Sequence, residues 1–211
     1  MRNGLFKHLA ITFVAIVFSL GITQAAPLRI LALGTSLTQG FGVPPGEDFT
    51  TVLEGKLNAA GENVKLINAG VSGDTSAGGL ARLDWSLADH PDAAIVELGS
   101  NDALRGLAPA ETQKNLTAVL TKLQAAHIPV LLVGMLAPRN LGKEYAAAFD
   151  TIYPALAKKF DAILYPFMLD GVALAPRLNQ ADGIHPNPAG VNIIVGKMLP
   201  YAKRLVAEAR H

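Results

Sequence analysis

The sequence predicts an α/β fold in which a mostly parallel, doubly wound sheet of five strands lies between two layers of helices. Short apolar runs alternate along the chain with longer amphipathic stretches, which is the pattern of alternating strands and helices. The runs contain few polar residues, which is typical of strands buried on both faces. Polar segments follow several of the runs directly. We therefore expect a three-layer αβα sandwich with polar loops at the carboxyl ends of its strands.

Five apolar runs are the predicted strands. They span residues 28–33, 64–68, 93–98, 130–134 and 162–165. Their short length suits strands better than helices. Glu97 interrupts the third run, where burial without a partner would be costly. We expect a structural partner for it, with Arg82 as the candidate, and no catalytic role.

Helical spacing of apolar residues accounts for the stretches between the runs. Side chains three or four positions apart indicate one helix after the first strand, one after Pro109 and a final one after Pro188. The apolar positions are Phe49, Val52, Leu53 and Leu57, then Leu116, Val119, Leu120 and Leu123, and finally Ile193, Val195 and Leu199.

The N-terminus has the pattern of a secretory signal peptide. Arg2 and Lys7 precede an apolar run over residues 9–22, and small residues follow, so cleavage is expected after Ala25 or Ala26. A membrane anchor is the alternative, but the run is shorter than the roughly 20 residues that span a bilayer. We therefore predict a signal peptide over residues 1–26, a single domain over residues 27–211 and a periplasmic or secreted enzyme.

Composition excludes several kinds of site. Removal of the two basic residues with the signal peptide takes the formal charge from +1 to −1, which argues against electrostatic nucleic-acid binding. The chain has no cysteine, so it has no disulfide, thiol nucleophile or zinc–thiolate site.

A Ser-His-Asp arrangement is suggested by two distant segments. The segment Asp182-Gly183-Ile184-His185-Pro186 places a carboxylate three residues before an imidazole, and Ser36 follows the first predicted strand. Such residues could perform acyl transfer, in which the imidazole takes the proton of the attacking serine and the carboxylate fixes the imidazole tautomer. Taken singly, the first segment could be a turn with a solvated histidine, and the serine could cap a helix. His90 and His127 have no carboxylate at this spacing and are interpreted as turn or surface residues.

Two further loops could stabilise negative charge on a substrate oxygen. Gly73 follows the second predicted strand, where glycines let backbone N–H groups approach a ligand. Asn101 follows the third and offers an amide donor. Read alone, these are an ordinary turn and a helix cap.

Together these segments resemble the four sequence blocks of the SGNH (GDSL) hydrolases, which carry Ser, Gly, Asn and His. The chain is most similar to the bacterial thioesterase I, protease I and lysophospholipase L1 group of arylesterase-like enzymes, from about residue 28 to residue 200. The segments that carry the likeness are 72–76, 79–83, 104–106 and 182–186. The resemblance implies a triad of Ser36, Asp182 and His185, with Gly73 and Asn101 at the oxyanion.

The chain departs from the family pattern at two positions. Thr35 stands before the serine where the family block has Asp, and Ser100 precedes the Asn where glycine is frequent. Both changes leave the triad residues in place and bear on rate and substrate preference.

The resemblance implies a serine hydrolase of aryl or acyl esters, acyl thioesters or lysophospholipids, with no cofactor and no metal. Substrate contacts are expected from Leu104, Arg105 and Pro138, in loops that follow the third and fourth strands. The expected partner is a small acyl ester or thioester; neither nucleic acid nor membrane insertion is expected, and the expected state is a monomer. A carbohydrate O-deacetylase of the same superfamily and a non-catalytic periplasmic lipid- or peptide-binding protein are the alternatives.

Overall fold

A computed structural model describes residues 26–211 of the chain as a three-layer α/β domain. The signal peptide predicted over residues 1–26 falls outside this range except for its last residue. Within residues 26–211, no helix is both long enough and apolar enough to cross a membrane.

The central sheet has five strands, and every pairing in it is parallel. The strands are β1 Leu28–Gly34, β2 Val64–Gly70, β3 Ala93–Val96, β4 Val130–Val133 and β5 Ile163–Tyr165. Their order across the sheet is β2-β1-β3-β4-β5. Leu31 pairs with Ile67 of β2 on one side and with Ala94 of β3 on the other. The predicted doubly wound sheet is confirmed, and it is wholly parallel.

Eight α-helices connect or flank the strands in the described part of the chain. They are α1 Ser36–Gln39, α2 Phe49–Ala59, α3 Ser76–Leu87, α4 Ser100–Leu104, α5 Pro109–Ala125, α6 Lys143–Asp150, α7 Ile152–Phe160 and α8 Pro188–Ala209. The longer helices pack in pairs, α2 with α8 and α3 with α5. Side-chain oxygens accept hydrogen bonds from the first turns of three of them, namely Asp48 at α2, Thr75 at α3 and Asn187 at α8.

The core is formed where helices cover the sheet. All four residues of β3 and all four of β4 are buried, which explains why these strands are apolar throughout instead of alternating. The prediction for β3 was two residues too long, since the strand ends at Val96. The final helix is confirmed, but Ile193 and Leu199 are only partly buried, and Ile194 and Met198 point into the core instead.

The turn predictions for two histidines are confirmed. His90 and His127 are exposed and have backbone φ angles of 48° and 56°, in the left-handed region. Both stand in the connections that lead into β3 and β4. Neither lies near the loops at the carboxyl ends of the strands, which is where the polar segments meet.

A glycine at the end of β2 lets α1 approach the sheet closely. A Cβ atom on Gly70 would lie 2.2 Å from the backbone nitrogen of Gln39, the last residue of α1. Backbone atoms cannot move aside as a flexible side chain can. The close approach fixes where α1, and therefore Ser36, sits relative to the sheet.

We therefore expect Gly70→Ala to destabilise the protein by about 1–3 kcal/mol, because the added methyl group overpacks a backbone contact. Gly55→Ala is the matched control. Gly55 lies inside α2 and a Cβ there would meet no atom within 4 Å, so this change should stabilise by about 0.4–1 kcal/mol. Urea unfolding of the two variants measures both effects. Equal stabilities would show that α1 does not press on Gly70.

Candidate active site

The structure brings Ser36, His185 and Asp182 into one hydrogen-bonded chain. The Nε2 atom of His185 lies 2.9 Å from Oγ of Ser36, and its Nδ1 atom lies 2.7 Å from Oδ2 of Asp182. Ser36 is the first residue of α1, directly beyond β1. His185 and Asp182 lie 149 and 146 positions further along the chain, in the turn before α8.

The turn that carries His185 is held by the second oxygen of the same carboxylate. Asp182 Oδ1 accepts hydrogen bonds from the backbone N–H groups of Ile184 and His185, both at 3.0 Å. Gly183 has a φ angle of +75° at the bend, which glycine adopts without strain. One side chain thus shapes the turn and contacts the imidazole.

Two residues that the sequence analysis did not single out join this turn to the serine loop. Gln180 Nε2 donates to the carbonyls of Phe41 at 2.7 Å and of Pro186 at 2.9 Å. The ring of Phe41 packs against the imidazole of His185 with 4.8 Å between centroids. Nothing in their local sequence marks them, because their contacts depend on segments that are more than a hundred residues apart.

Three hydrogen-bond donors lie in the loops that follow β1, β2 and β3. Within the described residues, the backbone N–H groups of Ser36 and Gly73 have no protein acceptor. Gly73 has a φ angle of +81°. Asn101 Nδ2 donates one hydrogen to the carbonyl of Asp74 at 2.8 Å, which leaves its second N–H available to a ligand.

Two charged side chains, the buried Asp102 and the exposed Arg105, tie the Gly73 and Asn101 loops together. Asp102 is 1% exposed and accepts hydrogen bonds from the backbone N–H of Ser76 at 2.7 Å and from its hydroxyl. Arg105 donates to the carbonyl of Gly73 at 2.6 Å. Together with the Asn101 contact, these bonds fix α4 against the start of α3.

The expected pairing of Glu97 with Arg82 is wrong. Arg82 forms an ion pair with Asp74, with Nε and Oδ2 2.6 Å apart, and donates to the carbonyls of Gly34 and Ala69. Glu97 instead is fully buried and accepts hydrogen bonds from Thr35 and Thr38. Burial raises the pKa of its carboxyl group.

A cavity of about 390 Å³ opens beside Ser36 and His185. Ser36, Asn101 and His185 lie on its wall. The rest of the wall is largely apolar and includes Leu104, Met135, Leu136, Pro138, Phe167 and Leu174. Leu104 and Pro138 thus lie where substrate contacts were predicted, whereas Arg105 is not among the lining residues and contacts the Gly73 loop. Residues 26–211 contain no group of His, Cys, Asp and Glu that could hold a metal ion.

Hydrogen bonds hold Asp182 in its ionised form. Those from the side chain and backbone of His185 and from the backbone of Ile184 lower the pKa of Asp182 from 3.8 to about 2. The carboxylate is well exposed, so solvent screens it and the gain in stability is small. It nevertheless remains a hydrogen-bond acceptor for the imidazole throughout the ordinary pH range.

The sequence and the fold are both similar to those of known hydrolases. Residues 32–193 match the model of the GDSL-like lipase/acylhydrolase family. The chain is 40% identical over 184 residues to esterase TesA of Pseudomonas aeruginosa, covering 87% of this chain and 92% of that one. It is also 40% identical over 187 residues to thioesterase 1/protease 1/lysophospholipase L1 of Escherichia coli strain K12, covering 88% and 87%. The crystal structure of AlinE4, an SGNH-hydrolase family esterase, matches with a TM-score of 0.74 and 47% identity, covering 86% of this chain and 98% of that one.

We expect the carboxyl group of Asp182 to titrate near pH 2 in the folded protein, well below the value of 3.8 for a free side chain. Because folding lowers this pKa, the ionised group stabilises the folded state above about pH 4, and this contribution is lost as the pH falls toward 2. NMR titration of the carboxyl carbons measures the value, with Asp182→Asn assigning the signal. A midpoint near 3.8 would show that the bonds from residues 184 and 185 are not formed in solution.

Proposed function

The chain belongs to the GDSL-like lipase/acylhydrolase family, and from this we propose that it is a carboxylic ester hydrolase that works through an acyl intermediate on Ser36. The observation that carries the proposal is the continuous hydrogen-bonded path from Ser36 Oγ through the imidazole of His185 to Asp182. This path connects a nucleophile to a base and the base to a group that orients it.

In the first half of the reaction, Ser36 Oγ attacks the carbonyl carbon of the ester while His185 Nε2 takes the hydroxyl proton. The carboxylate of Asp182 accepts the Nδ1–H, so that Nε2 carries the free lone pair. The tetrahedral intermediate collapses to an acyl-serine, and the leaving alcohol receives the proton from His185. Water then attacks the acyl-serine with the same imidazole as base, and the second tetrahedral intermediate releases the carboxylic acid as Ser36 Oγ takes the proton back from His185.

The negative charge of each tetrahedral intermediate falls on the former carbonyl oxygen. The N–H groups of Ser36 and Gly73 and the free amide hydrogen of Asn101 supply the donors. The donors on Gly73 and Asn101 need no rearrangement during the reaction, because Arg105 and Asp102 already fix the loops that carry them. Donors held in place in this way typically contribute 10²- to 10³-fold each to kcat.

The substrate that fits the site has an apolar acyl or aryl group. The cavity beside Ser36 has a largely apolar wall and would receive that group, while the leaving group remains outside. The names of the two relatives include esterase, thioesterase and lysophospholipase. We extend the proposal to acyl thioesters and lysophospholipids on this basis, since the same acyl-serine forms whichever leaving group departs.

We further propose that the enzyme acts in the periplasm or outside the cell as a single domain over residues 27–211. The support is the basic and apolar sequence pattern of residues 1–26, which ends in small residues. This segment lies almost wholly outside the described residues.

Ser36→Ala should remove nearly all turnover of an aryl ester while leaving the fold intact, with a residual rate of about 10³- to 10⁴-fold over water from the oxyanion donors and binding. The measurement is kcat on acyl phenyl esters, with circular dichroism to establish folding. A well-folded Ser36→Ala protein with wild-type turnover would contradict the proposal.

Asp182→Asn provides a sharper test of the triad. The amide oxygen can still accept from residues 184 and 185, so the turn is kept, but the amide NH₂ now faces His185 Nδ1 and forces the proton onto Nε2. Nε2 can then no longer accept the serine proton, and kcat should fall by up to about 10⁴-fold. Retained kcat in this variant would show that Asp182 only shapes the turn.

Leu104→Ser should reduce kcat/KM more for medium-chain esters than for acetyl esters. Leu104 lines the cavity with half of its surface exposed, and each methylene buried against it contributes up to about 0.8 kcal/mol, or roughly fourfold in kcat/KM. Trp85→Ser is the control, because Trp85 is 80% exposed on α3 and does not line the cavity. A chain-length series of esters and matched thioesters, with an acetylated sugar included, measures the effect. Equal losses along the series would place the acyl group elsewhere.

A further inference from the structure

Glu97 is a buried acid that the proposed reaction does not use. It follows β3 directly and has no exposed surface. Among the described residues, no lysine, arginine or histidine forms an ion pair with it. A carboxyl group in such a place is costly unless its hydrogen bonds repay the lost hydration.

All the groups that donate hydrogen bonds to this carboxyl group come from Thr35, which precedes α1, and from Thr38, which lies within it. Thr35 donates its backbone N–H to Oε2 at 2.9 Å and its hydroxyl to Oε1 at 3.0 Å. Thr38 donates its hydroxyl to Oε2 at 2.9 Å. Ser36 lies between these residues, so the carboxyl group of Glu97 holds the chain on both sides of Ser36.

The bond to Glu97 also changes what the hydroxyl of Thr35 does. Thr35 occupies the N-cap position of α1, where a threonine hydroxyl ordinarily accepts from an N–H group of the first turn. Here it makes no such bond, since it is turned toward Glu97. The hydroxyl of Thr35 therefore fixes the residue before Ser36 to the buried carboxyl group and does not cap the helix.

The carboxyl group of Glu97 packs tightly against the turn that carries Ser36. A Cβ atom on Gly34 would lie 2.0 Å from Thr38 Oγ1 and 2.7 Å from Glu97 Oε2. A helix of only four residues such as α1 is not stable by its own hydrogen bonds. Its geometry therefore depends on contacts with the rest of the protein. Glu97 supplies three of them, through the N–H and hydroxyl of Thr35 and the hydroxyl of Thr38.

We propose that Glu97 is a positioning residue for the nucleophile, which acts through Thr35 and Thr38 to fix the orientation of Ser36. This inference rests on the proposed role of Ser36. Glu97 does not touch the reacting atoms. Its contribution is the geometry of the serine turn.

Two substitutions separate hydrogen bonding from mere filling of space. In Glu97→Gln, the amide oxygen can take the place of Oε2 and accept from Thr35 N–H and Thr38, while the NH₂ group donates to the Thr35 hydroxyl. Glu97→Met keeps a similar length but removes the carboxyl acceptor of all three groups. Burial raises the pKa of Glu97, which favours the neutral form that a glutamine imitates.

The experiment measures kcat, KM and the rate at which an organophosphonate labels Ser36 in wild type, Glu97→Gln, Glu97→Met and Thr38→Val. The labelling rate measures the reactivity of the Ser36 hydroxyl itself, because labelling requires neither an acyl chain in the cavity nor turnover. Leu57→Ala is the control for lost stability, because Leu57 is buried in α2 and bonds to none of these groups. All variants are assayed well below the melting temperature of the least stable one.

We expect Glu97→Met to lower kcat and the labelling rate in parallel by about 10- to 100-fold with little change in KM, since displacement of a reacting group by an ångström has effects of this size. Thr38→Val should lose less, and Glu97→Gln and Leu57→Ala should stay within about threefold of wild type. If Glu97→Met does not fold, the comparison of Thr38→Val with Leu57→Ala still tests the inference.

The inference is overturned if the folded Glu97→Met and Thr38→Val proteins react as fast as Leu57→Ala, or if Glu97→Gln falls as far as Glu97→Met. In either case wild-type hydrolysis and labelling at Ser36 would leave the proposed function intact. If the wild type neither hydrolyses esters nor is labelled at Ser36, the proposed function fails, and the inference fails with it.

Discussion

Parallel pairing of β1 with both β2 and β3 is the constraint on which the candidate site depends. In parallel strands all carboxyl ends lie at one edge of the sheet, so the loops that carry Ser36, Gly73 and Asn101 must meet there. The same arrangement requires helices on both faces, and it therefore makes the strands continuously apolar. One topological choice thus determines the composition of the core and the place of the polar loops.

Exact geometry at this edge is supplied by buried or partly buried ionisable groups. Asp102 joins α4 to the start of α3, Arg82 joins Asp74 to the ends of β1 and β2, and Glu97 holds the serine turn. Each of these groups would be costly to bury alone, and each is used to fix one loop against another. The apolar core provides stability, whereas these polar contacts select a single arrangement of the loops.

Local signals predicted what depends on neighbouring residues. Runs of apolar residues gave the five strands and their order of appearance, and the breakers around Asp182 and His185 gave a turn, because each depends on spacing within a short segment. The strand order itself, the partner of Glu97 and the contact of Gln180 with Phe41 depend on how distant segments pack, and sequence spacing carries no information about them. The choice of Arg82 for Glu97 failed for this reason, since charge alone also suits Asp74.

Because Ser36 and His185 are far apart along the chain, the two residues are synthesised at different times. During synthesis the segments that carry Ser36, Gly73 and Asn101 leave the ribosome long before residues 180–187 do. A nascent chain that ends before residue 182 therefore has the serine without the imidazole that would activate it. The proposed reaction therefore becomes possible only after the segment with residues 182–185 has been made and has folded against the loop that carries Ser36.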